Sequence, residues 1–149
     1  MRIILTMLTL LIAGCSTFQR AGIPLQPSVA KFNDHLRWKR YDAAARLITS
    51  EEQSTFYEAL AEVEKALDIQ DIEVRHVSVQ ETNPIKARVI VRAETTKLPS
   101  TIVQTVTQTQ IWEHRPNGWV IINIEPNWFP EAKSNKSKVA NISSPSLKD

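Results

Sequence analysis

Cys15 is the residue of this chain best placed for chemistry. It is the only cysteine, and it directly follows Ile12-Ala13-Gly14. A thiolate is a strong nucleophile, so a thiol beside small residues is open to covalent modification. With no second cysteine it has no intramolecular disulfide partner, and a lone cysteine in an exported chain needs an explanation. Imidazole is the usual general acid or base, so the three histidines, His35, His76 and His114, are the candidates for proton transfer. None has a second histidine or a cysteine at metal-ligand spacing, so no metal site is expected. There is no Gly-rich phosphate loop and no nucleophile with a paired base, so neither a catalytic residue nor a cofactor is assigned.

The segment ahead of Cys15 explains the thiol. Met1-Arg2 is a short positive start, and Ile3 to Ile12 is apolar except for Thr6 and Thr9. As a helix this run reaches roughly 15 Å, half of the ~30 Å of a bilayer core. A positive start, a short apolar centre and small residues before a break make the pattern of a secretory signal. On composition alone, an ordinary signal with an incidental cysteine, or a buried apolar helix with a core thiol, stays open. Ile12-Ala13-Gly14-Cys15 resembles the lipobox of bacterial lipoproteins. The resemblance implies a signal peptide over 1–14, diacylglycerol on the Cys15 sulfur, cleavage after Gly14, and further acylation with a palmitate-type chain on the new amino group. Two or more acyl chains anchor stably where one is marginal. Ser16, in place of the Asp that retains many enterobacterial lipoproteins in the inner membrane, implies the outer membrane, with the chain facing the periplasm.

The elements that follow decide where the remaining polar groups go. Without residues 1–14 about 135 residues remain, enough for one domain. The formal charge of +2 becomes +1 without Arg2, and the basic residues are scattered apart from Arg37, Lys39 and Arg40. Nucleic acid is therefore not an expected partner. Residues 15–27, with Gly22, Pro24 and Pro27, read as a lipidated tether. Ser28 starts a helix with Val29, Phe32 and Leu36 on one side. Asp42 caps a second, with Tyr41, Ala44, Ala45 and Ile48 in phase. Ser50 and Gln53 fit a capping box for a third, with the stripe Phe56, Leu60, Val63 and Leu67. Glu58, Glu62 and Glu64 fall off that stripe, as a solvated face does.

From Ile72 the hydrophobic period becomes two. Ile72, Val74, His76 and Ser78 share one face of the first strand. Residues 87–95 form a second strand with Val89, Val91 and Ala93 on one face. Residues 102–114 form a third, rich in Thr and Val, which suit a pleated sheet. Arg115-Pro116-Asn117-Gly118 is a hairpin turn and 119–125 a fourth strand. Pro126 ends it, and 126–149 reads as a polar, disordered tail whose Trp128-Phe129 can fold back on the domain edge.

Helices first and then antiparallel strands give an α+β domain over 28–125, with N-terminal helices packed on a curved sheet of about four strands. The order resembles the NTF2-like (cystatin-like α+β cone) superfamily. So do the Arg40-Tyr41-Asp42-Ala43-Ala44 entry to the second helix and the pair Gln110-Ile111-Trp112 and Gly118-Trp119-Val120-Ile121 around the last turn. A cystatin-like or ferredoxin-like sheet without a cone is the alternative. Many NTF2-like members carry a short strand between the second and third helices. Here Thr49 runs straight into Ser50, so that strand is absent or vestigial.

The resemblance implies a cone whose pocket candidates are Tyr57, His76, Glu94, Gln110 and Trp112, with Gln108 and His114 beside them. Without it, His76 reads as a satisfied or edge histidine, and His114 as solvated. Trp112 and Trp119 read as a strand lock over the core, and Gln104, Gln108 and Gln110 as an exposed or subunit-contact face. The expectation is a membrane-anchored lipoprotein with a non-catalytic binding domain. Its partner is a second copy or another envelope protein, met on the open face of the sheet. An enzyme or small-ligand carrier with a pocket in the cone is the alternative, and a structural envelope protein a weaker third.

Overall fold

The computed structural model describes residues 24–130. The expected signal peptide over 1–14, Cys15 and most of the expected tether and tail lie outside the described residues. The chain folds as α1 (Leu25–Arg37), α2 (Tyr41–Ala45), α3 (Gln53–Val63), β1 (Leu67–Gln80), β2 (Lys86–Lys97), β3 (Gln104–Arg115) and β4 (Gly118–Glu125). The strands make one antiparallel sheet in the order β1-β2-β3-β4, a simple meander. The α+β class, with helices ahead of a four-stranded sheet, is as the periodicities require. Among the described residues no helix is long and apolar enough to cross a membrane.

Helix α1 begins at Leu25, three residues ahead of the expected start, with Pro24 at its N-cap. Pro27 is no obstacle there, because the first-turn N–H groups have no intrahelical acceptor to lose. Its far end closes on backbone bonds from Lys39 N to Leu36 O and Arg40 N to His35 O, the Schellman arrangement. Lys39 takes the left-handed conformation, φ 54°, where glycine is usual.

Neither the Asp42 cap expected for α2 nor the Ser50–Gln53 capping box expected for α3 forms. Arg40, not Asp42, is the N-cap of α2, and Glu52, not Ser50, is that of α3, neither with a side-chain cap. Gln53 turns back instead and donates from Nε2 to Ala45 O at 3.0 Å and Ile48 O at 3.3 Å. Asp42 accepts a hydrogen bond from Tyr57 Oη at 3.0 Å. The missing strand between α2 and α3 is vestigial: Thr49 N donates to Ile121 O and Ile121 N to Leu47 O, a single parallel bridge on the β4 edge.

The core lies between the helices and one face of the sheet. Phe32 and Leu36 of α1, Ala44 and Ala45 of α2, and Phe56 and Val63 of α3 meet Val89, Val91, Trp112 and Ile121. Burying a large apolar side chain contributes about 1.5–3 kcal/mol, so these carry the fold. Leu67 is buried with the α3 stripe but opens β1, because α3 ends at Val63. Trp128 and Phe129 do fold back on the domain, as expected for them, and so shorten the tail read over 126–149. Both are buried, with Phe56 at 5.9 Å from Trp128 and 5.2 Å from Phe129 between ring centroids, and Tyr41 at 5.8 Å from Phe129. The two aromatics close the end of the core, so the domain runs to at least Pro130.

Candidate functional site

Strand register decides which polar groups face inward. On β2 the buried face is Ala87, Val89, Val91, Ala93 and Thr95. Opposite them on β1 stand Val79, Val77, Val74, Ile72 and Ile69 in the same order. His76 is not in that series: the register shifts between Val74 and His76, and His76 pairs with Ile90 on the outer face. A β-bulge inserts one residue, and with a period of two this moves every later side chain to the other face. The expectation that His76 shares a face with Ile72 and Val74 fails for this reason. His76 is exposed on the outside of the sheet.

Two other pocket candidates also stand outside. Glu94 lies on the outer face, where Arg92 is its ion-pair partner at 3.3 Å. Tyr57 is exposed on α3 and bonded to Asp42. Burial, and then the Asp42 carboxylate accepting its proton, raise the Tyr57 phenol above its ordinary pKa. His76, Glu94 and Tyr57 are therefore not brought together.

Gln110 and Trp112 are brought together, and Asn33 joins them. All three are at least nine-tenths buried. Trp112 Nε1 donates to Gln110 Oε1 at 3.2 Å, and Gln110 Nε2 donates to Asn33 Oδ1 at 2.6 Å. An indole N–H can only donate, which fixes the Gln110 carbonyl toward Trp112 and its amino group toward Asn33. Asn33 must then accept through its carbonyl. Gln108, also buried, donates to the Asn127 backbone carbonyl and ties the last described segment to the sheet. Gln108 and Gln110 thus face the core, not solvent or a subunit contact. Trp112 and Trp119 do lock and cover the core. His114 is half-buried with its ring 5.1 Å from that of Trp119, and not solvated as expected beside the turn.

The inside of the sheet is filled. The edge of Phe32 meets Trp112 at 6.0 Å, and Phe56, Trp128 and Phe129 stack beyond it. A shallow cleft opens instead at the seam of α1 and β1. One part, about 220 Å³, is lined by Ala30, Asn33, Asp34, Arg37, Ile72 and Val74. The next, about 310 Å³, shares Arg37 and continues past Trp38, Lys39 and Asp68. Arg37 pairs with Asp71 at 3.2 Å, Lys39 with Asp68 at 3.5 Å, and Arg40 with Asp34. These pairs are about half exposed and each contributes little stability. Among the described residues no group of His, Cys, Asp and Glu is arranged to hold a metal ion.

The outer face of the sheet is a mosaic. Ile90, Ile111 and Val120 are half-buried there, beside Thr107 and Thr109. Around them stand the pairs Glu73–Arg75 at 2.9 Å, Arg92–Glu94 and Glu113–Arg115 at 3.0 Å. Among the described residues no helix covers this face.

No family model matches the sequence, and no curated protein matches it significantly. Solved structures with the same arrangement exist. A domain from Exiguobacterium sibiricum, named for Ca/calmodulin-dependent kinase II association, superposes with a TM-score of 0.54 at 12% identity, covering 74% of this chain and 92% of its own. A SEC-C motif containing protein from Rhodopseudomonas palustris superposes with a TM-score of 0.52 at 13% identity, covering 62% of this chain and 70% of its own. At such identities the likeness is one of fold alone.

Proposed function

We propose that this chain is a lipid-anchored bacterial envelope lipoprotein, acylated on Cys15, whose NTF2-like domain is a non-catalytic interaction module on the periplasmic side of the outer membrane. The observation that carries the module reading is the filled interior of the sheet. Phe32, Phe56, Trp112, Trp128 and Phe129 occupy the volume a pocket would need. The amides that point inward, Gln108 and Gln110, each donate from Nε2 to a partner within the protein. The polar and apolar mosaic of the outer face has the composition of a protein-contact surface, with apolar residues at the centre and charges at the rim. A second copy or another envelope protein is the partner this surface suits. The fold neighbour named for association supports the same reading by analogy of fold only.

Membrane fractionation with photo-crosslinking from position 111 tests both halves. The wild type is expected in the membrane fraction with a discrete crosslinked product, and the Cys15→Ser form in the soluble fraction. Equal membrane retention of the serine form would remove the anchor. A crosslink-free outer face at native expression would remove the interaction surface.

A further inference from the structure

Helix α1 commits its apolar stripe to the core, and Val29, Phe32 and Leu36 are all buried. Trp38 falls off that stripe, at the C-cap of α1, and is 63% exposed. The other three tryptophans, Trp112, Trp119 and Trp128, are buried. Tryptophan is highly buried on average, so core packing does not account for this indole. Trp38 lines the cleft of about 310 Å³ at the seam of α1 and β1, with Arg37, Lys39, Asp68, Ile69 and Gln70. The Arg37 guanidinium lies over the ring, 5.5 Å from its centroid, and restrains it. The polar lining is ordered and electrically balanced. Arg37 pairs with Asp71 at 3.2 Å and Lys39 with Asp68 at 3.5 Å. Gln70 Nε2 donates to Asp68 Oδ2 at 2.7 Å, and no hydrogen bond among the described residues takes its Oε1. Two cations facing two carboxylates leave no net charge to select an anion or a cation. Lys39 holds its place on this wall in left-handed backbone, φ 54°, and such strained positions cluster at ligand sites.

We propose that this cleft is a binding subsite for a neutral sugar ring of an oligosaccharide, stacked on the Trp38 indole. A pyranose has an apolar face of C–H groups and a rim of hydroxyls that both donate and accept. The indole suits the face, being broad, apolar and rigid. The rim needs donors and acceptors on the same wall. Arg37 and Lys39 only donate, the Asp68 carboxylate only accepts, and Gln70 offers its carbonyl oxygen. A carboxylate has about four lone-pair sites, so a hydroxyl can bond to Asp68 without breaking its pair with Lys39. A ligand with no apolar face would leave the indole in water. One with no polar rim would desolvate the paired charges without replacing their lost hydrogen bonds. The cleft is shallow, so an affinity of about 1 mM per ring is expected. It lies apart from the outer face of the sheet and from Cys15, and is a second binding function beside the contact surface proposed above.

Saturation-transfer NMR on the chain from residue 15 onward, carrying Cys15→Ser, tests this with chitotetraose, cellotetraose and maltotetraose as probes. At least one of them is expected to receive saturation on its ring C–H protons and to shift the Trp38 indole N–H resonance. Trp38→Ala should weaken that binding by about ten-fold or more, and Trp38→Phe, which keeps a ring, by less. Trp38 is exposed, so both variants should unfold at nearly the wild-type midpoint. Tetragalacturonate, an anionic chain, should bind no more tightly than the neutral probes. Absence of saturation transfer to all three neutral probes would overturn the proposal, as would equal binding by Trp38→Ala or tighter binding of the anion. A Trp38 resonance that shifts with protein concentration alone would also overturn it, and would place a second copy at the cleft. Ile111→Lys, on the outer face, should leave sugar binding unchanged, so failure of this site is separate from failure of the proposed function.

Discussion

Asn33 and Gln110 stand 77 residues apart in the chain and meet at 2.6 Å in the core. One comes from the first helix and the other from the third strand, so their bond fixes how α1 lies across the sheet. The Trp112 indole, hydrogen-bonded to the other side of Gln110, sets its direction.

Gln110→Leu leaves both the Asn33 carbonyl and the Trp112 N–H without partners. A loss of about 2–6 kcal/mol is expected, from two buried groups at about 1–3 kcal/mol each. Asn33→Leu should cost less, and the double substitution less than the sum of the two. Urea midpoints in a double-mutant cycle check this, and strict additivity would show that the network is not coupled.

Phe129→Ala should destabilise by about 3–5 kcal/mol, as removal of a buried aromatic does. The result separates a core residue from a tail residue. A change under about 0.5 kcal/mol, the range of surface substitutions, would return 126–130 to the tail.

Lys39→Gly should stabilise by about 0.5–1 kcal/mol, since glycine takes the left-handed position without a Cβ penalty. The exposed Lys39–Asp68 pair that is lost is worth little. Thermal unfolding reads the shift, and a fall in the midpoint would mean that the ion pair outweighs backbone strain.

His35 sits near the end of α1 with its pKa held below the ordinary value, first by desolvation and then by Arg40 and Lys31. The folded state thus prefers the neutral ring. The stability this contributes is fully present above the unfolded value near 6.5 and is lost as pH falls through that value toward the lower folded one. His35→Gln should flatten the stability profile between roughly pH 7 and 5. An unchanged slope would assign the pH dependence to other groups.

The strand and helix order was legible because burial imposes periods of two and about 3.6 on the sequence. The outward position of His76 was not. A bulge in the middle of β1 leaves the sequence alternation intact while inverting which face it reaches. Asn33 was missed for a related reason: a polar residue in a helix next to Asp34 looks solvated, and only the crossing of α1 over β3 makes it internal. Gln110 carried a weak signal, since it lies in phase with Trp112, but an in-phase amide reads equally well as an exposed face. Trp128-Phe129, between Pro126 and Pro130, was legible by its aromatic bulk as folding back on the domain edge, but not as a closing part of the core.

Ile111→Lys, at the centre of the outer face, should leave the fold within about 1 kcal/mol of wild type. It should weaken partner capture or self-association by ten-fold or more, as central interface positions do. Sedimentation and crosslinking would show it. Unaltered association would exclude this face.

The mass of the mature N-terminal peptide tests the central claim most directly. The expected peptide begins at Cys15 and carries diacylglycerol with a further acyl chain. A peptide that retains Met1, or one whose Cys15 is a free thiol, would contradict it.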